Sequence, residues 1–201
     1  MQNKNPFRFC LLFCVCCLLG GCTQEGAYEE EFAERFAARC AEEPYETAAS
    51  VSVAREEETL SYDIWVEAAD EVRVTVQKPE PLAGITAHLR GEELALSYDG
   101  SVLDAGALTP GLSAVNAVPL TFRAAAEGFP VEYGTEKRDG EEVLRIGNRF
   151  AVNGEDFTVS IWFSQDGVPL SAEWEHAGRT EVFLRFSDFR FRASEPAENT
   201  A

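Results

Sequence analysis

Apolar and polar residues alternate along most of this chain, from Tyr45 to Phe191, and this pattern limits the possible fold more than any other feature. A period of two places the apolar side chains on one face of each β-strand. Turn signals such as Asp99-Gly100 and Asp139-Gly140 separate the alternating runs, so neighbouring strands are predicted to pair as antiparallel hairpins. About ten strands are predicted in this way, and their shared apolar face has to be covered.

Two stretches outside the alternation supply the predicted cover. From Ala27 to Glu42, apolar side chains recur at helical spacing, which predicts an amphipathic helix that ends before Pro44. Leu108 to Gly128 is apolar without a clean period and predicts a loop with short helices at Ser113–Asn116 and Leu120–Glu127. The sequence therefore predicts an α+β fold: a curled antiparallel sheet with an N-terminal helix and a mid-chain helical lid.

The first residues have the features of a bacterial secretion signal. Lys4 and Arg8 precede an apolar run from Phe9 to Leu19, which is shorter than the ~20 residues needed to span a membrane. The run leads into Leu19-Gly20-Gly21-Cys22, which resembles the lipobox of bacterial lipoproteins. That resemblance implies cleavage after Gly21 and a diacylglyceryl group on the Cys22 thiol. The protein is then expected in the bacterial cell envelope, lipid-anchored on the extracytoplasmic side of a membrane.

The predicted segments of the chain follow from this site. Residues 1–21 are a signal peptide, residues 22–26 are the lipidated N-terminus with a short tether, and residues 27–192 are one domain. Residues 193–201 lose their apolar content and are predicted to be a disordered tail. Because Cys40 falls on the apolar side of the predicted helix, we expect a buried core residue there rather than a catalytic thiol.

Charge and motifs exclude several classes of function. The formal net charge is −18 at pH 7, which argues against nucleic acid as a partner, because such binding depends on Lys and Arg. The two histidines, His88 and His176, are predicted to point outward from strands and lack the spacing of a metal site. The sequence has no nucleophile elbow, phosphate-binding loop or dinucleotide fingerprint. We therefore expect no catalysis, no cofactor and no metal.

Four stretches resemble the lipoprotein-carrier (LolA/LolB-like) superfamily and its relatives among Gram-positive lipoproteins. They are, in chain order, Val72–Pro79, Leu94–Gly100, Leu112–Leu120, and Phe163–Glu173 with its continuation into Phe186–Phe191. The resemblance implies a half-open β-barrel whose concave apolar face takes acyl chains beneath covering helices. Carrier members are soluble and receptor members are lipid-anchored, and Cys22 matches the second type or the Gram-positive relatives. Arg55 and Arg73 are both possible positions for the arginine of the carriers, and neither is assigned.

Two functions are consistent with these features. In the first, a membrane-anchored protein binds lipid or lipoprotein acyl chains in a concave apolar cavity, without catalysis, and Leu112–Leu120 forms a movable cover. The predicted ligand-binding residues are Val74, Val76, Ile85, Leu96, Leu112, Val115, Leu120, Val159, Ile161 and Leu184. In the second, the cavity is filled and the fold is a protein-interaction module that binds or activates an envelope enzyme such as a cell-wall hydrolase. Trp65, on the polar side of its strand, is then a candidate contact.

The aromatic residues of the later strands leave one question open. Phe157, Phe163, Phe186 and Phe191 either line a lipid pocket or fill an ordinary core. The volume behind the mid-chain segment is therefore the property that separates the two functions.

Overall fold

A computed structural model describes residues 25–55, 58–91, 93–107 and 111–192 of the chain. The predicted signal peptide, the lipidation site at Cys22 and the predicted tail 193–201 lie outside the described residues. Among the residues that are described, no helix is both long enough and apolar enough to cross a membrane.

The described residues form two α-helices, a short 3-10 helix and eleven strands. The helices are α1 (Glu25–Glu42), the 3-10 helix (Glu80–Leu82) and α2 (Ala117–Glu127). The first six strands are β1 (Tyr45–Ala54), β2 (Thr59–Ala68), β3 (Val72–Lys78), β4 (Thr86–Arg90), β5 (Glu93–Tyr98) and β6 (Ser101–Ala107). The remaining strands are β7 (Phe129–Arg138), β8 (Glu141–Val152), β9 (Glu155–Phe163), β10 (Pro169–His176) and β11 (Arg179–Phe191).

All of these strands belong to one antiparallel sheet in the order β6-β5-β4-β3-β2-β1-β11-β10-β9-β8-β7. Strands that follow each other in sequence pair with each other, except β6 and β7, which lie at opposite ends of the sheet. The pairing of β1 with β11 joins the early and late strands. Because the two end strands do not pair, the sheet is not closed into a barrel. The predicted fold class, a curled half-open sheet with an N-terminal and a mid-chain helix, is confirmed.

Helix α1 begins at Glu25, slightly before its predicted start, and ends at Glu42 as predicted. Pro44 prevents a further turn, because it lacks the N–H that would continue the helical hydrogen bonds. Ala33 and Phe36 on the apolar side are buried, and Cys40 packs against the same core. Burial raises the pKa of the Cys40 thiol, so this side chain is protonated at neutral pH. Cys40 thus lies against the core as predicted, but it is partly rather than fully buried.

The mid-chain segment folds differently from its prediction. One helix, α2, replaces the two predicted pieces, and Ala114–Asn116 forms a turn rather than a helix. Helix α2 includes Pro119, which is tolerated there because an N–H in the first turn has no helical partner. The helix ends at Glu127, where the N–H of Gly128 donates to the carbonyl oxygen of Ala124 at 2.9 Å.

Two strand predictions also change. Strand β6 has no counterpart in the prediction, because Asp104-Ala105-Gly106 lacks the alternation on which strand prediction depends. At the end of the domain, the last two predicted strands are one strand, β11. Asp188 has a φ of 53° there, and the pairing with β1 shifts register between Glu46 and Ala48, so the strand continues through an irregularity instead of turning.

Candidate ligand cavity

The two helices cover only part of the inner face of the sheet. They pack against each other, α1 also lies against β7 and β8, and α2 lies against β8 and β11. We call strands β1 and β7–β11 the covered half, and strands β2–β6 the open half. Both halves have an alternating apolar face, but that face is packed differently in each.

Side chains from both helices fill the covered half. The ring of Phe36 in α1 packs edge-on against Phe163 of β9, with the ring centroids 4.7 Å apart. The indole N–H of Trp174 in β10 donates to the Thr121 hydroxyl of α2 at 2.8 Å, and that hydroxyl donates to the carbonyl oxygen of Ala117 at 2.7 Å. All five residues are buried, so aromatic packing and satisfied hydrogen bonds hold the helices on the sheet.

Three of the predicted ligand-binding residues lie in this covered half. Val159, Ile161 and Leu184 are each 0% exposed. From sequence, four phenylalanines could either line a pocket or fill the core. Three of them, Phe157, Phe163 and Phe186, belong to this core. The space beside Ile161 measures about 120 Å³, which is less than the roughly 150 Å³ that holds one benzene molecule. These residues therefore form the core beneath the helices, and an acyl chain has no room beside them.

A cavity of about 300 Å³ lies in the open half, between the inner face of the sheet, the 3-10 helix and the loop before α2. Its described lining is mainly apolar and consists of Val53, Arg55, Leu60, Tyr62, Ile64, Val74, Val76, Leu82, Ile85, Leu96, Ser113, Ala114 and Val115. The volume is at the lower end of the roughly 300–1,000 Å³ typical of small-molecule sites. The open half therefore has space for a small apolar ligand.

The structure brings half of the predicted ligand-binding set together at this cavity. The residues that line it are Val74, Val76, Ile85, Leu96 and Val115. Leu112 and Leu120 are partly buried and pack against the neighbouring core instead. The prediction missed the wall formed by β2, although Leu60, Tyr62 and Ile64 follow the same alternation as the other strands. The sequence gives no alternation signal for Leu82, because this residue lies in the 3-10 helix, where side chains do not alternate.

The register across three strands creates the floor of the cavity. Val74 of β3 pairs with Ala87 of β4, and Ala87 pairs with Leu96 of β5. Ala87 is 3% exposed, belongs to the buried core and is not among the residues that line the cavity. Val74 and Leu96, the pairing partners of Ala87 on either side, do line it.

A tightly held loop, rather than a helix, forms the roof. Asn116 is 4% exposed, and its Oδ1 accepts a hydrogen bond from the N–H of Ser113 at 2.8 Å. Its Nδ2 donates to the carbonyl oxygen of Gly111 at 2.9 Å. The N–H of Ala117, the first residue of α2, donates to the carbonyl oxygen of Ser113 at 2.9 Å. The Asn116 side chain thus fixes the loop that places Val115 over the cavity. Movement of this cover remains a prediction.

The outer face of the open half carries a chain of polar side chains. His88 Nδ1 and Glu71 Oε1 are 2.6 Å apart, and His88 Nε2 and Ser97 Oγ are 2.8 Å apart. Hydrogen bonds from His88 and then Arg90 lower the pKa of Glu71. Ser97 lies within β5, with paired strands on both sides, so nearby backbone N–H groups belong to the sheet and not to an oxyanion hole. We therefore assign these hydrogen-bonded side chains a role in holding neighbouring strands together rather than in catalysis.

The remaining sequence candidates lie elsewhere. His88 projects from the outer face, as predicted. His176 follows the buried Trp174 by two residues in β10 and therefore lies on the inner face. The prediction that His176 points outward is wrong. The ring centroid of His176 lies 5.1 Å from that of buried Phe157. Trp65 is on the outer face as predicted, although it is half-buried rather than fully exposed. In the part of the chain that the structure describes, no group of three His, Cys, Asp or Glu side chains could hold a metal ion.

Neither a protein-family model nor a curated protein matches the sequence. Solved structures are similar to it. One of them is a LolA superfamily protein from Nitrosomonas europaea, which has 14% sequence identity and a TM-score of 0.43. The match covers 82% of this chain and 94% of that protein. Lipoprotein LppX from Mycobacterium tuberculosis has 13% identity and a TM-score of 0.43, with coverage of 79% and 93%. LprF from Mycobacterium bovis has 10% identity and a TM-score of 0.49, with coverage of 85% and 96%.

Structures described as LolA-superfamily proteins or lipoproteins are therefore among the structural neighbours of this chain, as the resemblance in its sequence implies. All three TM-scores are below 0.5 and all three identities are below 25%. The similarity therefore concerns the general fold and carries no information about ligand, partner or location.

Proposed function

We propose that this protein is a membrane-anchored lipoprotein of the bacterial envelope that binds an acyl chain in the cavity of its open half, without catalysis. The observation that supports the proposal is the cavity itself, which measures about 300 Å³ while the same face of the covered half is filled by helices. Polar solutes lose hydrogen bonds to water when they enter an apolar space, whereas an alkyl chain does not. The lining therefore favours hydrocarbon.

The size of the cavity sets the expected affinity. A cavity of about 150 Å³ holds a benzene molecule, so twice that volume holds roughly a dozen carbon atoms. At about 0.8 kcal/mol for each buried CH₂, the gross gain is about 10 kcal/mol. Association costs at least about 4 kcal/mol in lost translational and rotational freedom. A single chain is therefore expected to bind with a Kd of about 10–100 µM before any head-group contact is counted.

The lipobox at Cys22 supports the anchored part of the proposal. Only Thr23 and Gln24 separate Cys22 from the first residue of α1. At about 3.5 Å for each extended residue, a lipid on Cys22 would hold the domain close to the bilayer, where acyl chains are present. Metabolic labelling with palmitate tests this part alone: the label is expected on the wild-type chain and absent from Cys22→Ser. Equal labelling of both would contradict the anchor.

A pair of matched substitutions tests the cavity. Val76→Phe adds a ring inside the cavity, and Val102→Phe makes the same change on a side chain that is 73% exposed. With the purified chain carrying Cys22→Ser, we expect native mass spectrometry and calorimetry to detect binding of dodecyl compounds. Val76→Phe is expected to weaken this binding at least about tenfold, because the ring occupies the ligand volume. Val102→Phe is expected to have no effect. Unchanged binding by a folded Val76→Phe variant would contradict the proposal.

A further inference from the structure

The mouth of the cavity differs chemically from its walls. Among the described lining residues, Arg55 has the one charged side chain, while Tyr62 and Ser113 contribute hydroxyl groups. Arg55 is exposed and directly follows β1. Long basic side chains commonly lay their apolar stem along a hydrophobic surface and keep the charged end in water. We therefore expect the stem of Arg55 to lie along the cavity wall and its guanidinium group to lie at the entrance.

The strand register places this group at the rim and not at the floor. Val53 of β1 pairs with Leu60 of β2, and both side chains line the cavity. Beyond this pair, the N–H of Arg55 donates to the carbonyl oxygen of Glu58 at 2.8 Å and closes the connection between the two strands. The guanidinium group thus follows the last apolar pair of the wall. A ligand whose chain fills the cavity would bring its head group to this position.

The volume limits the number of chains. About 300 Å³ accepts roughly a dozen carbon atoms, by comparison with the roughly 150 Å³ that holds benzene. A lipid with two or three long chains does not fit in this space. We propose, on the basis of the function proposed above, that the ligand is a single-chain amphiphile of about twelve carbons whose anionic head group, a carboxylate or a phosphate, is bound by Arg55.

The chemistry of Arg55 favours an anionic head group, whereas the surrounding charges oppose it. A guanidinium group donates in a planar fork that matches carboxylate and phosphate oxygens, and such charge-assisted hydrogen bonds are stronger than neutral ones. Against this, Glu56, Glu57 and Glu58 directly follow Arg55 in the sequence, and the chain has a net charge of −18. Exposed charges are largely screened beyond about 8 Å at physiological salt. Direct contact with Arg55 is therefore expected to outweigh the general negative charge, and a cationic amphiphile is the competing ligand.

Four probes with the same chain length test the head group. They are laurate, dodecyl phosphate, dodecanol and dodecyltrimethylammonium, titrated calorimetrically into the purified full chain carrying Cys22→Ser. We expect one or both anionic probes to bind at least about tenfold more tightly than dodecanol. Arg55→Gln is expected to remove this advantage, so that the anionic probes bind to this variant no more tightly than dodecanol does. Arg73→Gln is the control, because Arg73 lies on the outer face, 3.7 Å from Glu67.

The outcomes separate this inference from the proposed function. Tighter binding of dodecyl phosphate than of laurate would indicate a phospholipid-type head group. Tighter binding of laurate would indicate a free fatty acid. Either result supports the inference. Equal binding of dodecanol and both anions, or no effect of Arg55→Gln, would overturn the role of Arg55 while the cavity still bound alkyl chains. Tighter binding of the cationic probe would also overturn it. If a correctly folded chain bound none of the four, the proposed function itself would be wrong.

Discussion

The covered half and the open half use the same kind of strand, yet two helices pack on one and a cavity of about 300 Å³ lies mainly in the other. Ile161 of β9 is 0% exposed beneath the helices, whereas Ile85, just before β4, is half-buried at the cavity wall. Helices α1 and α2 lie against the late strands, whereas the described residues opposite the sheet at the cavity belong to the 3-10 helix and the loop before α2. An apolar strand face is thus covered core or cavity wall according to what lies opposite it.

The largest expected effect comes from truncating these two isoleucines. Ile161→Ala removes side-chain atoms from close-packed surroundings and is expected to lower the free energy of unfolding by about 2–5 kcal/mol. Ile85→Ala enlarges a space that already exists, so its expected cost is about 1 kcal/mol. Urea denaturation of both variants measures the difference. Equal costs would show that the open half is as tightly packed as the covered half.

A threonine pair compares hydrogen bonds in the two halves. Thr121→Val keeps the shape of the side chain but leaves the buried indole N–H of Trp174 without its acceptor, at an expected cost of about 1–3 kcal/mol. Thr75→Val is the control on the outer face of the open half, where the Thr75 and Thr86 hydroxyls are 2.9 Å apart. Because water reaches that pair, the expected cost is less than about 1 kcal/mol. Denaturant midpoints check both values, and a larger loss for Thr75→Val would reverse the comparison.

The roof of the cavity is predicted to depend on Asn116. Asn116→Ala removes the hydrogen bonds to Ser113 and Gly111, with an expected loss of about 1–2 kcal/mol in the free energy of unfolding. Hydrogen exchange at the Ser113 amide is expected to accelerate at least about tenfold, because its acceptor is gone. Exchange at Trp174 in β10 serves as the internal control and should change little. Unchanged protection of Ser113 would mean that another contact holds the roof.

The smallest effect is expected on the outer face of the open half and depends on pH. The pKa of Glu71 is lowered by the hydrogen bonds from His88 and Arg90, so its stabilising contribution is present above the ordinary carboxyl pKa near ~4.3. It is lost as the pH falls through the lowered value. Glu71→Gln is therefore expected to reduce the urea midpoint slightly at pH 7 and to match the wild type in acid. If the urea midpoints of the wild type and Glu71→Gln still differed in acid, the ionised Glu71 carboxylate would not be the cause of the difference.

Prediction from sequence identified the inner face of the sheet where the signal was local. Val74, Val76 and Leu96 lie on alternating strands, and the structure places all three at the cavity. Val159 and Ile161 have the same kind of side chain and the same period, and Val74 belongs to the same buried cluster, but Val159 and Ile161 do not line that cavity. Alternation identifies the apolar face of a strand, and it contains no information about what covers that face.

The sequence by itself therefore determined the elements: strands from the period of two, helix α1 from its apolar side, and an open antiparallel sheet from the short turns between strands. Tertiary structure alone decided which part of the apolar face is free. That decision depends on contacts between residues far apart in the chain, such as Phe36 with Phe163 and Thr121 with Trp174. Local patterns report how each segment folds, whereas free volume depends on how separate segments pack together.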